Sequence, residues 1–220
     1  MTYLITGGAG FVGSHVAEKL LQRGETVVVI DNFNDYYDPA IKRQNAKRLS
    51  QYDKFTLVED DIRNVEVVNQ MFGEHDITHV AHLAAMAGVR ASVEQTRLYM
   101  EVNLIGTMNL LEAGKAQQIK QFVLASTSSV YGKTEILPFI ETDTADRPLA
   151  AYPASKRSAE MLAYTYNNLV DMNVTALRFF NVYGPAGRPD MMPWRLMEAT
   201  QTGGLIKLFN GGDIHRDWTY

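Results

Sequence analysis

The stretch Tyr3-Leu4-Ile5-Thr6-Gly7-Gly8-Ala9-Gly10-Phe11-Val12-Gly13 constrains this chain more than any other. A short apolar run of strand length leads straight into glycines at 7, 10 and 13, and Val12, Val16 and Leu20 then recur at helical spacing. The pattern reads as strand, tight turn, helix. Such a turn aims backbone N–H groups and the positive end of a helix dipole at one point, which suits a pyrophosphate. A side chain there would hold the backbone off the ligand, or the helix off the strand. The same glycines also fit a purely steric turn, so the residues that follow decide between the two.

They favour the ligand. Helical spacing through Leu21 stops at Gly24, a suitable cap, and Thr26-Val27-Val28-Val29-Ile30 is rich in β-branched residues, so a second strand ends on Asp31. An acid at that tip accepts hydrogen bonds from both hydroxyls of an adenosine ribose and repels a 2′-phosphate, which favours NAD over NADP. The competing reading is an Asp-Asn turn in which Asp31 only caps the next residues. A polar and aromatic loop covers 32–39, and a basic, solvated helix covers 41–49. Further strands are expected at 55–59, 79–83, 121–125 and 174–179, with long helices at 98–116 and 155–169. In the first of these helices Asn103 and Gly106 face inward. Strands alternating with helices at this pitch predict an α/β fold with a doubly wound parallel sheet. Residues 181–193 are rich in Gly, Pro and Arg, and only a short amphipathic helix at 194–200 and a strand at 205–209 are expected after them, with nothing that closes a second core.

The 220 residues, 46% of them hydrophobic, suffice for a full core, and a net charge of -4 without any block of Lys and Arg argues against a nucleic-acid surface. Cysteine is absent, which excludes a disulfide framework and a thiolate zinc site and is compatible with a reducing cytoplasm. No basic segment with an apolar signal core opens the chain, and no apolar run approaches the roughly 20 residues of a membrane span. A soluble, cytoplasmic protein without a metal is expected. His79 and His82 have no third ligand nearby and read as packing at the edge of a strand.

Ser126-Thr127-Ser128-Ser129-Val130-Tyr131-Gly132 places hydroxyls at the carboxyl end of the fifth strand, where open α/β sheets bind ligands. Tyr152-Pro153-Ala154-Ser155-Lys156 puts a phenol and an ammonium on one helix face, provided Pro153 lies in the first turn. An ammonium beside a phenol favours the phenolate, so Tyr152 is expected to act as a base below its ordinary pKa of about 10. Behind a dinucleotide turn and a ribose acid, these groups predict oxidation of a hydroxyl to a ketone. Hydride goes to NAD, the proton goes to Tyr152, and Thr127 bonds the reacting oxygen.

Taken together, residues Thr6 to Gly13, Asp31-Asn32, Asp61-Ile62, His82-Leu83-Ala84-Ala85, Tyr152-x-x-x-Lys156 and Arg178-Phe179-Phe180-Asn181-Val182-Tyr183-Gly184-Pro185 resemble the extended short-chain dehydrogenase/reductase family. Within it the likeness is to nucleotide-sugar 4-epimerases. Asp31-Asn32-Phe33-Asn34-Asp35-Tyr36-Tyr37-Asp38-Pro39, Ala87-Gly88-Val89-Arg90 and Gly187-Arg188-Pro189-Asp190-Met191 are similar to the UDP-glucuronate 4-epimerases.

The resemblance implies a Rossmann-type NAD-binding domain at 1–180 and an incomplete substrate-binding lobe at 181–220. It implies that Gly7, Gly10, Phe11, Val12 and Gly13 cradle the pyrophosphate of NAD, that Asp31 and Asn32 meet the adenosine ribose, and that Asp61 and Ile62 meet the adenine. Leu83, Ala84, Ala85 and Asn103 would face the middle of the cofactor and Lys156 the nicotinamide ribose. Thr127 and Tyr152 match the catalytic hydroxyl and base, while Arg90, Thr127, Ser128, Asn181, Arg188 and Arg216 match contacts to a UDP-sugar. The implied reaction oxidises carbon 4, turns the 4-keto sugar over in the pocket and returns hydride to the opposite face, taking UDP-glucuronate to UDP-galacturonate in a homodimer joined through the helices at 98–116 and 155–169. Asn181 departs from this pattern: glucuronate epimerases commonly carry threonine there, and asparagine resembles epimerases of neutral UDP-hexoses, which stay the alternative together with nucleotide-sugar decarboxylases and dehydratases. A dehydratase would carry an Asp-Glu pair where this chain has Thr127-Ser128, and a non-catalytic NAD sensor would lack Thr127, Tyr152 or Lys156. The family's chains continue beyond the position of Tyr220, so NAD binding is expected to survive here and sugar-nucleotide binding to be weakened.

Overall fold

The computed structural model describes every residue except Ile214, and of Phe209 the backbone alone. Strands and helices alternate as β1 (Thr2–Thr6), α1 (Phe11–Gln22), β2 (Thr26–Ile30), α2 (Pro39–Leu49), β3 (Phe55–Val58), α3 (Val65–Glu74) and β4 (Ile77–His82). There follow α4 (Ala91–Glu94), α5 (Thr96–Met100), a π-helical turn (Glu101–Ile105) and α6 (Gly106–Ala116), then β5 (Gln121–Thr127), α7 (Ala151–Val170) and β6 (Val174–Phe179). Among the described residues the main sheet has the order β3-β2-β1-β4-β5-β6, with every pairing parallel.

Successive residues of a strand point to opposite faces, and both faces of this sheet are covered. Leu4, Val28, Ile30, Val80, Phe122 and Leu124 pack with Val68 and Met71 of α3, Leu110 and Leu111 of α6 and Ala159 and Ala163 of α7. Ile5, Val27 and Val29 pack on the other side with Ala17 and Leu21 of α1 and Leu49 of α2. The winding reverses between β1 and β4, which are neighbours in space but not in sequence. A crevice opens at the carboxyl ends of strands at such a point.

Several expectations need correction. Helix α2 is not solvated all round: Lys42, Asn45, Ala46 and Leu49 are buried, and the Lys42 ammonium donates to the Asn34 carbonyl at 3.1 Å and to its Oδ1 at 2.8 Å. A lysine head can be buried where such acceptors meet it. Helix α3 went unread in the sequence, although Asn64 caps it by accepting from the Val67 N–H and it buries Val68, Met71 and Phe72. The histidines do not sit at a sheet edge, because β4 lies between β1 and β5. His79 stacks on Tyr3 with ring centroids 4.8 Å apart, while His82 is fully buried. The helix expected at 98–116 starts earlier and is interrupted by the π-helical turn.

No strand forms at 205–209. The chain there is irregular up to a 3-10 turn at Phe209–Gly212, where Asn210 and Gly211 leave helical geometry. Residues 181–220 contribute a separate parallel pair, β7 (Asn181–Val182) with β8 (Trp218–Thr219), and one helix, α8 (Met192–Thr202), none of whose residues is buried.

Candidate active site

β1 ends at Thr6 and the chain turns at Gly7, where φ is +66° and a Cβ would lie 2.8 Å from the Ala84 nitrogen. At Gly13 a Cβ would lie 2.3 Å from the Gly7 carbonyl oxygen, so only glycine lets α1 close on the turn. No side chain caps α1 at Gly10, which leaves the first-turn N–H groups of Phe11, Val12 and Gly13 to meet a ligand. Asn45 of α2 secures the turn from behind by donating to the Ala9 carbonyl at 2.9 Å. The sequence reading passed over it because a single asparagine on a basic helix carries no pattern.

The turn reading of Asp31 holds, at a position on the lining of the cleft. Its Oδ2 accepts the Ala9 N–H at 3.1 Å and its Oδ1 the Phe33 N–H at 3.0 Å, so it ties the glycine turn to the next loop while bordering the cleft. Burial pushes its carboxyl above the usual range, against the pull of the Phe33 N–H and of Lys42. Asn32 donates to Asp61 at 2.8 Å. Burial acts upward on Asp61 as well, but the Arg63 side chain, bonded at 2.8 Å, leaves that carboxyl below its ordinary value. Ile62 lies beneath Gly106, where a Cβ would meet its side chain at 2.6 Å.

Leu83, Ala84, Ala85 and Met86 form the wall facing this turn. Asn103, expected at the cofactor, lies behind that wall. It is fully buried, and its amide accepts from the Met86 N–H at 2.8 Å and donates to the Met86 carbonyl at 3.0 Å and to Ser155 Oγ at 2.9 Å.

Thr127 closes β5, and Tyr152 and Pro153 fall in the first turn of α7, as expected. The Thr127 and Tyr152 side chains border the same cleft. The expected lowering of the Tyr152 phenol is not what the structure holds: burial pushes it up, and what pulls it back is the Thr127 hydroxyl, then the Arg188 guanidinium. Lys156 is only 2% exposed, and its ammonium has no hydrogen-bond partner among the described residues. Burial pushes it down to about 8, against the pull of Glu160. A buried ammonium without an acceptor is costly, and ribose hydroxyls of a dinucleotide in this cleft are the kind of group that would relieve it.

Glu160, one turn beyond Lys156, was also missed. It accepts from Arg178 at 3.1 and 3.0 Å, from Arg157 at 2.8 Å and from the Ser126 hydroxyl, which pins α7 to the ends of β5 and β6. Of the expected sugar-nucleotide contacts, Thr127 and Arg188 border the cleft, whose volume is about 290 Å³. Arg188 pairs with Asp190 at 3.0 Å and lies 5.4 Å over the Tyr36 ring. Tyr36, Tyr37 and Lys42 border the cleft as well, and burial pushes the Tyr37 phenol up to about 12. Arg90, Ser128, Asn181 and Arg216 are not brought to it: Arg90 precedes α4, Asn181 in β7 donates to the Asp217 carbonyl at 3.4 Å, and Arg216 bonds the His215 carbonyl at 2.6 Å. Among the described residues no group of His, Asp or Glu gathers to hold a metal ion, and no helix is long and apolar enough to cross a membrane.

Residues 3–220 match the NAD dependent epimerase/dehydratase family. The chain belongs to that family. Within the epimerase/dehydratase family it is 44% identical over 224 residues to UDP-glucuronate 4-epimerase 4 of Arabidopsis thaliana, a span of 100% of this chain and 51% of the plant protein. It is 44% identical over 218 residues to UDP-glucuronate 4-epimerase of Thermodesulfobacterium geofontis (strain OPF15), covering 99% of this chain and 67% of that one. Its fold superposes on the crystal structure of UDP-glucuronic acid 4-epimerase from Bacillus cereus in complex with UDP-glucuronic acid and NAD with a TM-score of 0.92, at 36% identity, over 100% of this chain and 69% of the other. The chain thus spans about half the length of the plant relative and about two thirds of the bacterial ones.

Proposed function

We propose that this chain serves the NAD-dependent epimerisation of a UDP-sugar at carbon 4, exchanging UDP-glucuronate and UDP-galacturonate through a 4-keto sugar. The reading is carried by one arrangement in the cleft: the Thr127 hydroxyl and the Tyr152 phenol on its lining, with the Lys156 ammonium, which has no hydrogen-bond partner among the described residues, one turn along the same helix. A base beside a hydroxyl at a sheet's switch point is what removal of a sugar hydroxyl proton requires. NAD, when bound, supplies the acceptor and donor of the hydride. The chain's own residues do the rest. Gly10 and the first-turn N–H groups of α1 receive the pyrophosphate, Asp31 and Asn32 the adenosine ribose, Asp61 and Ile62 the adenine, and Lys156 the nicotinamide ribose. Tyr152 accepts the proton of the 4-hydroxyl and later returns it, while Thr127 holds the reacting oxygen.

Arg188 and Tyr152 border the same cleft, so a guanidinium is available to a sugar bound there, which favours an acidic one. The names of the plant and bacterial relatives support the same substrate. Asn181 favours a second reading, a neutral UDP-hexose, through its likeness to the epimerases of such sugars alone, since the structure does not bring it to the cleft. In the same proposal, residues 1–180 form the NAD-binding domain and 181–220 part of the substrate lobe, in a cytoplasmic homodimer. Exposed Ile105 and Met108 on one helical face and Met161 and Tyr164 on another give that dimer its apolar contact.

Incubation with NAD and UDP-glucuronate, followed by NMR of the anomeric protons, is expected to show UDP-galacturonate. Interconversion of UDP-glucose and UDP-galactose instead selects the second reading, and conversion of neither by NAD-loaded protein removes both. Tyr152→Phe is expected to lower turnover roughly 10²–10⁴-fold with NAD affinity retained.

A further inference from the structure

A run of hydrogen bonds links the glycine turn to the main chain at Asn103 in the π-helical turn, and His82 sits at its centre. At one end the Thr6 hydroxyl oxygen accepts the Ala84 N–H at 3.0 Å and the Leu83 N–H at 3.1 Å, the latter shared with the Thr6 carbonyl at 3.2 Å. Its single hydrogen is therefore free to go to His82 Nδ1, 2.7 Å away, and that nitrogen acts as an acceptor. At the other end the Thr107 hydroxyl gives its hydrogen to the Asn103 carbonyl at 2.6 Å, so it can only accept from His82 Nε2, 2.8 Å away. Two independent ends thus require the same ring: neutral, with its hydrogen on Nε2. The Asn103 side-chain amide separately joins Met86 to Ser155, whose hydroxyl donates to the Tyr152 carbonyl at 2.8 Å.

We propose that His82 is a positioning residue for the cofactor cleft, a neutral relay that directs the Thr6 hydrogen inward. Both Thr6 lone pairs are thereby left to hold the 83–84 strip against Gly7. The strip and the turn are the two walls of the cleft, and at Gly7 the fit leaves no room for a Cβ beside the Ala84 nitrogen. Without an acceptor at the Nδ1 position the Thr6 hydrogen is stranded in a fully buried site, and the hydroxyl turns away from one of the two N–H groups to satisfy it. Burial, and after it the positive charge of Lys156, disfavours the charged ring. The cofactor-binding consequence rests on the NAD reading above; the direction of the hydrogen bonds does not.

Two measurements on the full chain test this. Nitrogen-15 NMR of the histidine ring nitrogens between about pH 6 and 8, with His82 assigned by its loss in His82→Asn, is expected to show a neutral ring protonated on Nε2. A hydrogen on Nδ1, or on both nitrogens, overturns the relay. NAD affinity by calorimetry is expected to fall roughly tenfold in His82→Leu, which lacks the acceptor, and to stay within about threefold in His82→Asn, whose Oδ1 takes the place of Nδ1. His82→Gln reaches Thr107 but not Thr6, and stands in for the leucine variant should that fail to fold. It is expected to bind as weakly. Binding by the glutamine variant as tight as by the asparagine variant overturns the positioning role. A wild-type chain that does not bind NAD overturns the NAD reading, while the ring measurement still decides the direction of the hydrogen bonds.

Discussion

The carboxyl end of the parallel sheet and residues 181–220 are built on opposite principles. Around the cleft, buried polar side chains other than Lys156 are bonded: Thr6, Asp31, Asn45, His82, Asn103, Ser155 and Glu160 each hold at least one neighbour in place. Past Asn181 the chain forms one helix with no buried residue and a ladder of two residues on each strand, and Leu205 is fully exposed. The cofactor side is arranged before any ligand arrives, whereas the segment that carries Arg188 has little of its own to hold it. On the proposed function, the contrast teaches that the cofactor and the variable sugar meet regions of different burial.

Hydrogen exchange tests that contrast most directly. Amides of β1, β4 and β5 are expected to exchange only through global opening, at about 5–15 kcal/mol, and those of α8 through openings of no more than about 2 kcal/mol. Equal protection would erase the difference. Gly13→Ala, which forces a Cβ to within 2.3 Å of the Gly7 carbonyl oxygen, is expected to lower stability by roughly 1–3 kcal/mol in chemical denaturation.

Lys156→Met sharpens the comparison through pH. The folded chain releases the Lys156 proton near about 8 and the unfolded chain near 10.5, so between these values the unfolded state binds more protons and stability rises with pH. The wild type is expected to gain up to about 1.4 kcal/mol per pH unit relative to the methionine variant in that window, with no such difference in slope below it. Denaturation midpoints across the pH range measure this. Leu205→Ser, at a side chain with nothing against it, is expected to stay within about 0.5 kcal/mol of the wild type.

The parts legible in the sequence were those with a period or a fixed spacing. The β-branched run into Asp31, the glycines at 7, 10 and 13, and the Tyr152/Lys156 face of a helix begun by Pro153 all fall where the pattern puts them. What escaped depends on distant partners. Asn45, Glu160 and the true place of Asn103 are set by residues on other elements, as is the upward push on Tyr152, which follows from burial rather than from its neighbour four residues on. His79 and His82 were misjudged because their spacing along β4 says nothing of which strands flank it. The strand expected at 205–209 failed for want of a sheet to join: local preference alone does not make a strand without a paired neighbour.

The run through Thr6, His82 and Thr107 also bears on which substitutions this fold accepts. Each of the two hydroxyls has a single hydrogen, and turning one reverses the demand on the ring between them. A change at any one of the three is therefore felt by the other two, whereas the main-chain carbonyl of Asn103 that ends the run is kept whatever side chain stands there. Three places in the sequence thus answer to one arrangement of hydrogens.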